Sequence, residues 1–326
     1  MDRISVVVPS FNNAPWLPQC LESLLAQTYE NLEIIVVDDG STDDTPAVLA
    51  EFSHKSPKIV ALRQENSGVT AARLRGIAAA TGDWIGFVDG DDVVEPDFYA
   101  RLHENAVTYG ADISHCGYKR LLPDGTTQPH GGSGAVRVQD GLTGLRDLIE
   151  ERIIEPGLCV KLFRSGLFAG LSAWMDPSIR NNEDMLMNYY LFSRGEKAVF
   201  QDVCLYSYRA RQGSASRGKL NAHKIYDPIR VRQRIQEECG PELKDTAREA
   251  LLRCQLYIYA QLTIAHGPAF RADKEKVRQM IAGEKAHYHL LTARNQILCH
   301  MIRLCPWAFS FAFRAYVALV MHGQYE

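Results

Sequence analysis

Two clusters of carboxylates stand where chemistry is most easily built. Asp89 and Asp91 flank Gly90 at the end of an apolar run, and Asp38 and Asp39 close a second run before Gly40 and Ser41. If the extended path persists, residues two apart project to the same side, so Asp89 and Asp91 converge. Converging carboxylates suit a hard divalent cation, and Mg²⁺ usually completes its shell with water and phosphate oxygens, which makes a diphosphate the natural partner. Each cluster alone also has a plainer reading. Asp and Gly form turns after strands, and Ser41 and Asp43 can cap a helix.

Only a scaffold that brings several strand ends to one rim can make these groups act together. Apolar, β-branched runs occur at residues 4–8, 32–37, 59–62 and 84–88, each short and nearly continuous, as strands buried on both faces are. Between the first two, Leu17, Cys20, Leu21, Leu24 and Leu25 recur at helical spacing. Between the second and third, Ser41-Thr42-Asp43-Asp44 opens a helix with a capping side chain, and residues 69–80 form an alanine-rich helix that ends before Gly82. The pattern βαβαβαβ predicts an α/β fold with a mostly parallel central sheet and right-handed crossovers. Ligands of such sheets bind beyond the carboxyl ends of the strands. Those ends carry Pro9-Ser10-Phe11-Asn12-Asn13, Asp38-Asp39-Gly40-Ser41 and Asp89-Gly90-Asp91-Asp92. No Gly-x-Gly-x-x-Gly follows the first run and no P-loop sequence occurs anywhere, so neither a dinucleotide site nor a P-loop is supported.

Beyond residue 110 the rhythm weakens. Residues 111–122 read as a strand, 123–134 as a Gly/Pro-rich loop, 142–151 as a short helix, 183–193 as a helix and 199–208 as a strand; 222–321 read as mostly helical, most clearly at 254–264 and 274–281. The 326 residues, 46% hydrophobic and 23% charged, suffice for one or two cores. A net charge of −3 argues against a nucleic-acid partner. Eight cysteines without a Cys-x-x-Cys pair suit reduced thiols in a cytoplasmic environment, and a strand-like run beginning at Ile4 leaves no room for a signal peptide. Residues 219–326 hold 16 Lys+Arg against 10 Asp+Glu, which leaves −9 for residues 1–218. An acidic front could bind metal or sugar and a basic tail could meet an anionic membrane, or the split is chance.

Four segments in order, Ser5-Val6-Val7-Val8-Pro9-Ser10-Phe11-Asn12-Asn13, the stretch from Ser23 to Asp43 with Val36-Val37-Asp38-Asp39-Gly40-Ser41, Asn66-Ser67-Gly68-Val69-Thr70-Ala71-Ala72-Arg73, and Gly82 to Asp92 followed by Pro96-Asp97, together resemble the family 2 glycosyltransferases of the GT-A fold. The likeness is close over about the first 110 residues. It implies a Rossmann-like GT-A catalytic domain over 1–218, with a nucleotide-binding half at 1–110 and an acceptor half at 111–218, and a helical region at 219–326. It implies an inverting transfer from a nucleoside-diphosphate sugar, best a UDP-sugar, with Mg²⁺ or Mn²⁺. Pro9 then lines the nucleoside pocket, Asp39 receives the base edge and Arg73 lies nearby. Asp91 is the metal ligand, and Asp89 serves the ribose or the metal. Asn182-Glu183-Asp184 resembles the family's Glu-Asp motif, which makes Asp184 the base facing the acceptor hydroxyl. Lys161-Leu162-Phe163 resembles a motif usually written Asn-Lys-Leu, with Val160 in the Asn place, and Tyr206 to Ser216 resembles the stretch after the base. Lys161, Glu183, Arg209 and Arg211 are thereby candidate contacts to diphosphate or acceptor, though solvated arginines are an equal reading. The chain writes Ala72-Arg73-Leu74 where the family usually writes Ala-Arg-Asn.

The implied acceptor is a glycan or lipid-linked glycan of the kind used in surface polysaccharide. A nucleotidyltransferase would want a basic, Gly-rich loop after the first strand, and residues 9–15 hold no basic residue. A non-catalytic sugar-binding protein would not need Asp39, Asp89, Asp91 and Asp184 together. Residues 304–321 contain Pro306 and Arg314, which argues against a spanning helix. Continued helically from His300, the segment puts His300, Arg303, Trp307, Ser310 and Arg314 on one stripe and Phe309, Phe313, Tyr316, Val317 and Val320 on the remainder. That pattern predicts a helix lying on the inner face of the cytoplasmic membrane, or else aromatics that pack on the protein or in a homo-oligomer.

Overall fold

Every residue of β1 (Ile4–Ser10) and β2 (Leu32–Asp38) is buried, the environment that continuous apolar runs require. The computed structural model describes residues 1–210, 219–265 and 267–320. Two compact units divide the chain, Met1–Gly218 and Lys219–Glu326. In the first, α1 (Leu17–Leu25) joins β1 to β2, and α2 (Thr45–Lys55), β3 (Ile59–Arg63), α3 (Val69–Ala79) and β4 (Trp84–Phe87) complete the expected alternation. Then come β5 (Val93–Val94), α4 (Phe98–Tyr109), β6 (Ile113–Leu121), β7 (Thr127–His130), β8 (Val136–Asp140), α5 (Gly141–Glu150), β9 (Lys161–Arg164), α6 (Glu183–Phe192) and β10 (Lys197–Arg209).

The ten strands make one sheet in the order β3-β2-β1-β4-β9-β6-β10-β5, with β7 on β6 and β8 on β10. The first four are parallel, β9 runs antiparallel to both β4 and β6, and β10 is again parallel to β6. From β1 the chain goes to β2 and β3 on one side and returns to β4 on the other. The carboxyl ends of β1 and β4 therefore flank a switch point, where open α/β sheets bind ligands.

Two local expectations change. Val60 and Ala61 on β3 are exposed because β3 is an edge strand, not one buried on both faces. The loop expected at 123–134 contains β7, which folds back on β6 after a turn at Asp124-Gly125. The capping side chain expected within residues 41–44 is that of Asp43, which accepts from Thr45 N (3.0 Å) at the start of α2 and from Ala14 N (3.1 Å), tying the loop after β1 to the helix.

The second unit is helical: α7 (Ala222–Glu238), α8 (Lys244–Ile264), α9 (Arg271–Gly283), α10 (Ala293–Leu304) and α11 (Pro306–Val320). Its core includes Ile229, Leu252, Tyr259, Val277, Cys299 and Ile302. Cys305 breaks the helix and Pro306 opens α11, the position where a missing N–H is harmless. Pro306 thus starts a second helix, and within it Trp307, Ser310 and Arg314 still share one stripe while Phe309 and Phe313 lie on the other side. Phe309 is buried against Tyr259 at 5.4 Å and Phe313 stacks on it at 5.5 Å. Ser310 Oγ accepts from Lys274 Nζ (2.9 Å), and Arg314 Nε donates to Thr263 O (3.2 Å).

One buried group in the sheet makes the first unit acid-sensitive. His115 on β6 lies 3.2 Å from Gln139 Oε1 and packs on Phe200 at 5.0 Å. Burial, and then the Lys161 charge, push its imidazole down to about 3. The folded state thus refuses a proton that the unfolded chain accepts near ~6.5, so this contribution is full above ~6.5 and erodes by about 1.4 kcal/mol per pH unit below it. The buried carboxyls of Glu183, Asp184 and Asp92 are pushed up and act in the opposite sense, so the His115 contribution is read as a difference: in thermal melts between pH 7.5 and 5, His115→Gln should gain stability relative to the parent below about pH 6.5. A variant with no such relative gain would remove His115 as a source of acid sensitivity.

Candidate active site

The end of β4 meets the end of β1 at close range. A Cβ on Gly90 would lie 3.0 Å from Asn13 Nδ2 and 3.3 Å from Pro9 O, so a larger residue here would press the neighbouring groups back by a few tenths of an ångström. On either side of it, Asp89 and Asp91 leave the sheet. Behind them β10 supplies the anchor. Tyr206 Oη accepts from Asp89 N (3.2 Å) and donates to Asp92 Oδ2 (2.6 Å), while Arg209 N donates to Asp92 Oδ1 (2.8 Å). Arg209 Nε donates to Asp91 O (2.8 Å), and its Nη2 reaches Gln19 Oε1 (2.5 Å). Asp92 is buried, and its carboxyl is pushed well up by desolvation and by the charges of Asp89 and Asp91. Three acids in four residues are thus divided: Asp92 holds the loop, and Asp89 and Asp91 face outward.

Arg73 joins this rim to the second half of the unit. Its guanidinium, on α3 and 5% exposed, donates from Nη2 to Asp89 Oδ1 (3.2 Å) and from Nη1 to Glu183 Oε1 (3.0 Å). Burial disfavours the charge, but Asp89 and Glu183 outweigh it and hold the group cationic. Glu183 and Asp184 open α6 after Asn182, whose φ of 63° is a left-handed conformation that asparagine tolerates. Both carboxyls are raised chiefly by burial, Glu183 to about 7 with Asp184 as its next cause. The positive pull of Arg73 and Lys161 opposes the rise at Asp184, whose Oδ1 accepts from Met185 N (2.8 Å).

Lys161 departs from its expected place among the ligand contacts. It is fully buried on β9 and its Nζ donates to the carbonyls of Glu155 (2.6 Å) and Gly157, because the strand turns it inward under the 155–157 loop. Desolvation lowers it to about 8 against the pull of Glu155 and Asp184. Asn188, one turn along α6 from Asp184, donates to Pro156 O and so holds the same loop.

At the end of β2 the two acids also divide. Asp38 is internal to the fold, with Oδ1 accepting from Ser41 N (2.9 Å) and Oδ2 paired with Arg63 (3.1 Å). Asp39 draws in the loop before α3, accepting from Gln64 Nε2 (2.8 Å), Ser67 N (2.9 Å) and Gly68 N (2.8 Å). Gly40, at φ +76°, has Asn66 N 2.7 Å from where a Cβ would sit, so the turn and that loop need glycine here. Pro9 is buried in register with Val37, at the base of the same rim. The structure therefore gathers Asp89, Arg73 and Glu183 into one hydrogen-bonded set, with Asp91, Asp184 and Arg209 around it. Arg211 lies outside the described residues.

The residues that sequence reasoning left without a role are Tyr206 and Asp92. Their only signal was membership of runs singled out for other residues. Among the described residues, no group of three or more His, Cys, Asp or Glu could hold a metal ion. Asp89 and Asp91 nevertheless fit Mg²⁺ or Mn²⁺, which take one or two carboxylates and complete their shell from substrate phosphate and water. Ser10 Oγ, beside Gly90, and Arg73 Nε are buried with no hydrogen-bond partner among the described residues, the orphaned polar atoms that a ligand at this rim would satisfy. A cavity of about 620 Å³ is lined by Trp16, Gln19, Leu121, Leu122 and Arg209, the last of which bonds Asp91 O at this rim.

Residues 5–147 match the family described as Glycosyl transferase family 2. Glycosyltransferase GlyA of Streptococcus pneumoniae serotype 4 is 34% identical over 66% of this chain, which spans only 32% of GlyA. Glycosyltransferase GlyG of the same organism is 30% identical over 73% of this chain and 81% of its own. The uncharacterized glycosyltransferase EpsJ of Bacillus subtilis is 28% identical over 96% of this chain and 95% of its own. The S. aureus TarS 1–349 structure in complex with UDP-GlcNAc aligns with a TM-score of 0.78 at 17% identity, covering 97% of this chain and 91% of that one. The Pyrobaculum calidifontis mannosyltransferase PcManGT, in complex with GDP-Man and Mn²⁺, aligns at 0.56 and 17% identity over 98% and 87%. The family match, the likeness to GlyG and the shared GT-A fold agree with the motifs at the strand ends: this chain belongs to glycosyl transferase family 2.

Proposed function

We propose that this glycosyltransferase is an inverting enzyme that moves a sugar from a nucleoside-diphosphate sugar, best a UDP-sugar, to a hydroxyl of a glycan or lipid-linked glycan. The observation that carries the reading is Arg73, whose one buried guanidinium ties Asp89, at the end of β4, to Glu183, the neighbour of Asp184. Donor-side and acceptor-side carboxylates are thereby fixed to one cation. The UDP-GlcNAc complex of TarS supports the choice of donor, and the Mn²⁺ complex of PcManGT supports a divalent metal.

In this reading Asp91 and Asp89 hold Mg²⁺ or Mn²⁺, which when bound offsets charge on the leaving diphosphate. Pro9 and Asp39 border the nucleoside, and Arg209 braces the Asp91 loop. Asp184 accepts the proton of the acceptor hydroxyl as its oxygen bonds to the anomeric carbon and the bond to the diphosphate oxygen breaks, reversing the configuration. Arg73, held by both acids, positions them and does not itself transfer a proton. The acceptor reaches the anomeric carbon from the Asp184 side, and the free cysteines suit work in the cytoplasm.

Replacing the base without changing its size should remove turnover but not fold. In a nucleoside-diphosphate release assay with the acceptor, Asp184→Asn should lower kcat by about 10²-fold or more, within the range of general-base contributions. Asp91→Asn should lose activity that excess Mn²⁺ restores only in part. Full turnover by either variant would overturn its assignment. Arg73→Lys keeps the charge but loses the planar fork; kcat should fall by about tenfold or more with KM for the donor less affected, because misplaced groups impair the transition state more than binding.

The raised carboxyls at α6 fix a pH dependence. A base must be deprotonated, and burial raises Asp184 above its ordinary 3.8 and Glu183 to about 7. Activity should therefore fall on the acid side at a pH clearly above the ordinary carboxylate range, measured as kcat/KM against pH. An acid limb at or below about 4 would show that no buried carboxylate limits the reaction.

A further inference from the structure

The face that α10 and α11 turn outward differs in kind from the rest of the second unit. Ile297, Leu304, Trp307, Phe311 and Leu319 are 60%, 64%, 76%, 77% and 79% exposed. At about 100° per residue, Trp307, Phe311 and Leu319 fall within roughly 120° of the α11 circumference. The opposite side of α11 is fixed by the buried Phe309, and at the border of the exposed arc Ser310 and Arg314 bond to α9 and α8. The fold therefore sets which side chains face out. Large apolar side chains aligned on a fixed exposed face mark an interaction surface.

Its charge says what covers it. From residue 285 to 325 the chain has no Asp or Glu, but it has Lys285, Arg294, Arg303 and Arg314. Lys285, Arg294 and Arg314 are exposed. A second copy placed on this face by a twofold axis would set like charges against one another. An anionic lipid surface complements both features, because it accepts the apolar side chains at the headgroup boundary and attracts the flanking cations. Trp307 is the residue type that favours this boundary. Among the described residues no helix is long and apolar enough to cross a membrane. We propose that α10 and α11 dock on an anionic bilayer, with Leu304, Trp307, Phe311 and Leu319 inserted in its surface and the helices lying in its plane. Phe309 and Phe313 take the other reading of the sequence, packing on the protein.

Flotation of the full chain with phosphatidylcholine vesicles, with and without phosphatidylglycerol, tests the proposal without reference to turnover. The chain should float with the anionic vesicles and stay behind with the neutral ones, and added salt should release it. Trp307→Ser/Phe311→Ser/Leu319→Ser should reduce the bound fraction by about tenfold or more. Its melting curve should match the parent's, since the three side chains are exposed. Lys285→Gln/Arg294→Gln should weaken flotation without touching the apolar face. No flotation of the parent, undiminished flotation of the triple variant, or a concentration-dependent dimer that the triple variant abolishes would overturn it.

Discussion

A buried guanidinium cannot be left without anions, and Arg73 meets that demand with acids from two separate parts of the chain. Asp89 comes from the end of β4 and Glu183 from the first turn of α6, 94 residues later in sequence. Removing one partner of such a set would leave uncompensated charge in a poorly solvated place, at a cost of about 3 kcal/mol or more. The first unit therefore cannot move the start of α6 away from the end of β4 without a large penalty. Asp184, one residue beyond Glu183, inherits its position from that restraint. Burial and Asp184 push the Glu183 carboxyl up, and Arg73 offsets only part of that rise.

The sheet supplies the second restraint. Because β1 and β4 are neighbours on either side of the switch point, Gly90 can lie against Pro9, and the acids beside it open onto the same crevice. Asp92 and Tyr206 then fix the loop from behind. Environment assigns roles to chemically identical groups: a buried Asp92 bonded to Tyr206 and Arg209 is architectural, while Asp89 and Asp91 remain available at the rim. The same division separates Asp38, which is bound within its own turn and to Arg63, from Asp39, which organises the loop leading into α3.

Local pattern carried the alternating half of the sheet well. The four apolar runs became β1, β2, β3 and β4; burial on both faces leaves that continuous signal in β1, β2 and β4, while β3 carries it as an edge strand. Local pattern missed β5, β8, β9 and α4 and merged β7 into a loop; the short strands pair at long range and show little local periodicity. The acids at the strand ends were legible from topology, and the resemblance added Arg73, Glu183 and Asp184. What one sequence could not show was pairing across the fold. Nothing near Arg73 names Glu183 as its partner, and nothing near Lys161 says that its ammonium turns inward to the Glu155 and Gly157 carbonyls. In the tail, periodicity grouped Phe309 with Phe313 and apart from Trp307, but it could not say which side the rest of the unit covers; Tyr259, some fifty residues away, is what buries Phe309.

The proposal that the β1 and β4 rim binds a nucleoside diphosphate through a metal held by Asp89 and Asp91 is most directly tested by calorimetric titration of the full chain with UDP, with and without Mn²⁺. The site described here predicts binding that needs the metal and that Asp91→Asn weakens by at least about tenfold, the loss expected when one of two protein ligands goes. UDP binding of equal strength without Mn²⁺, and unchanged in Asp91→Asn, would contradict it.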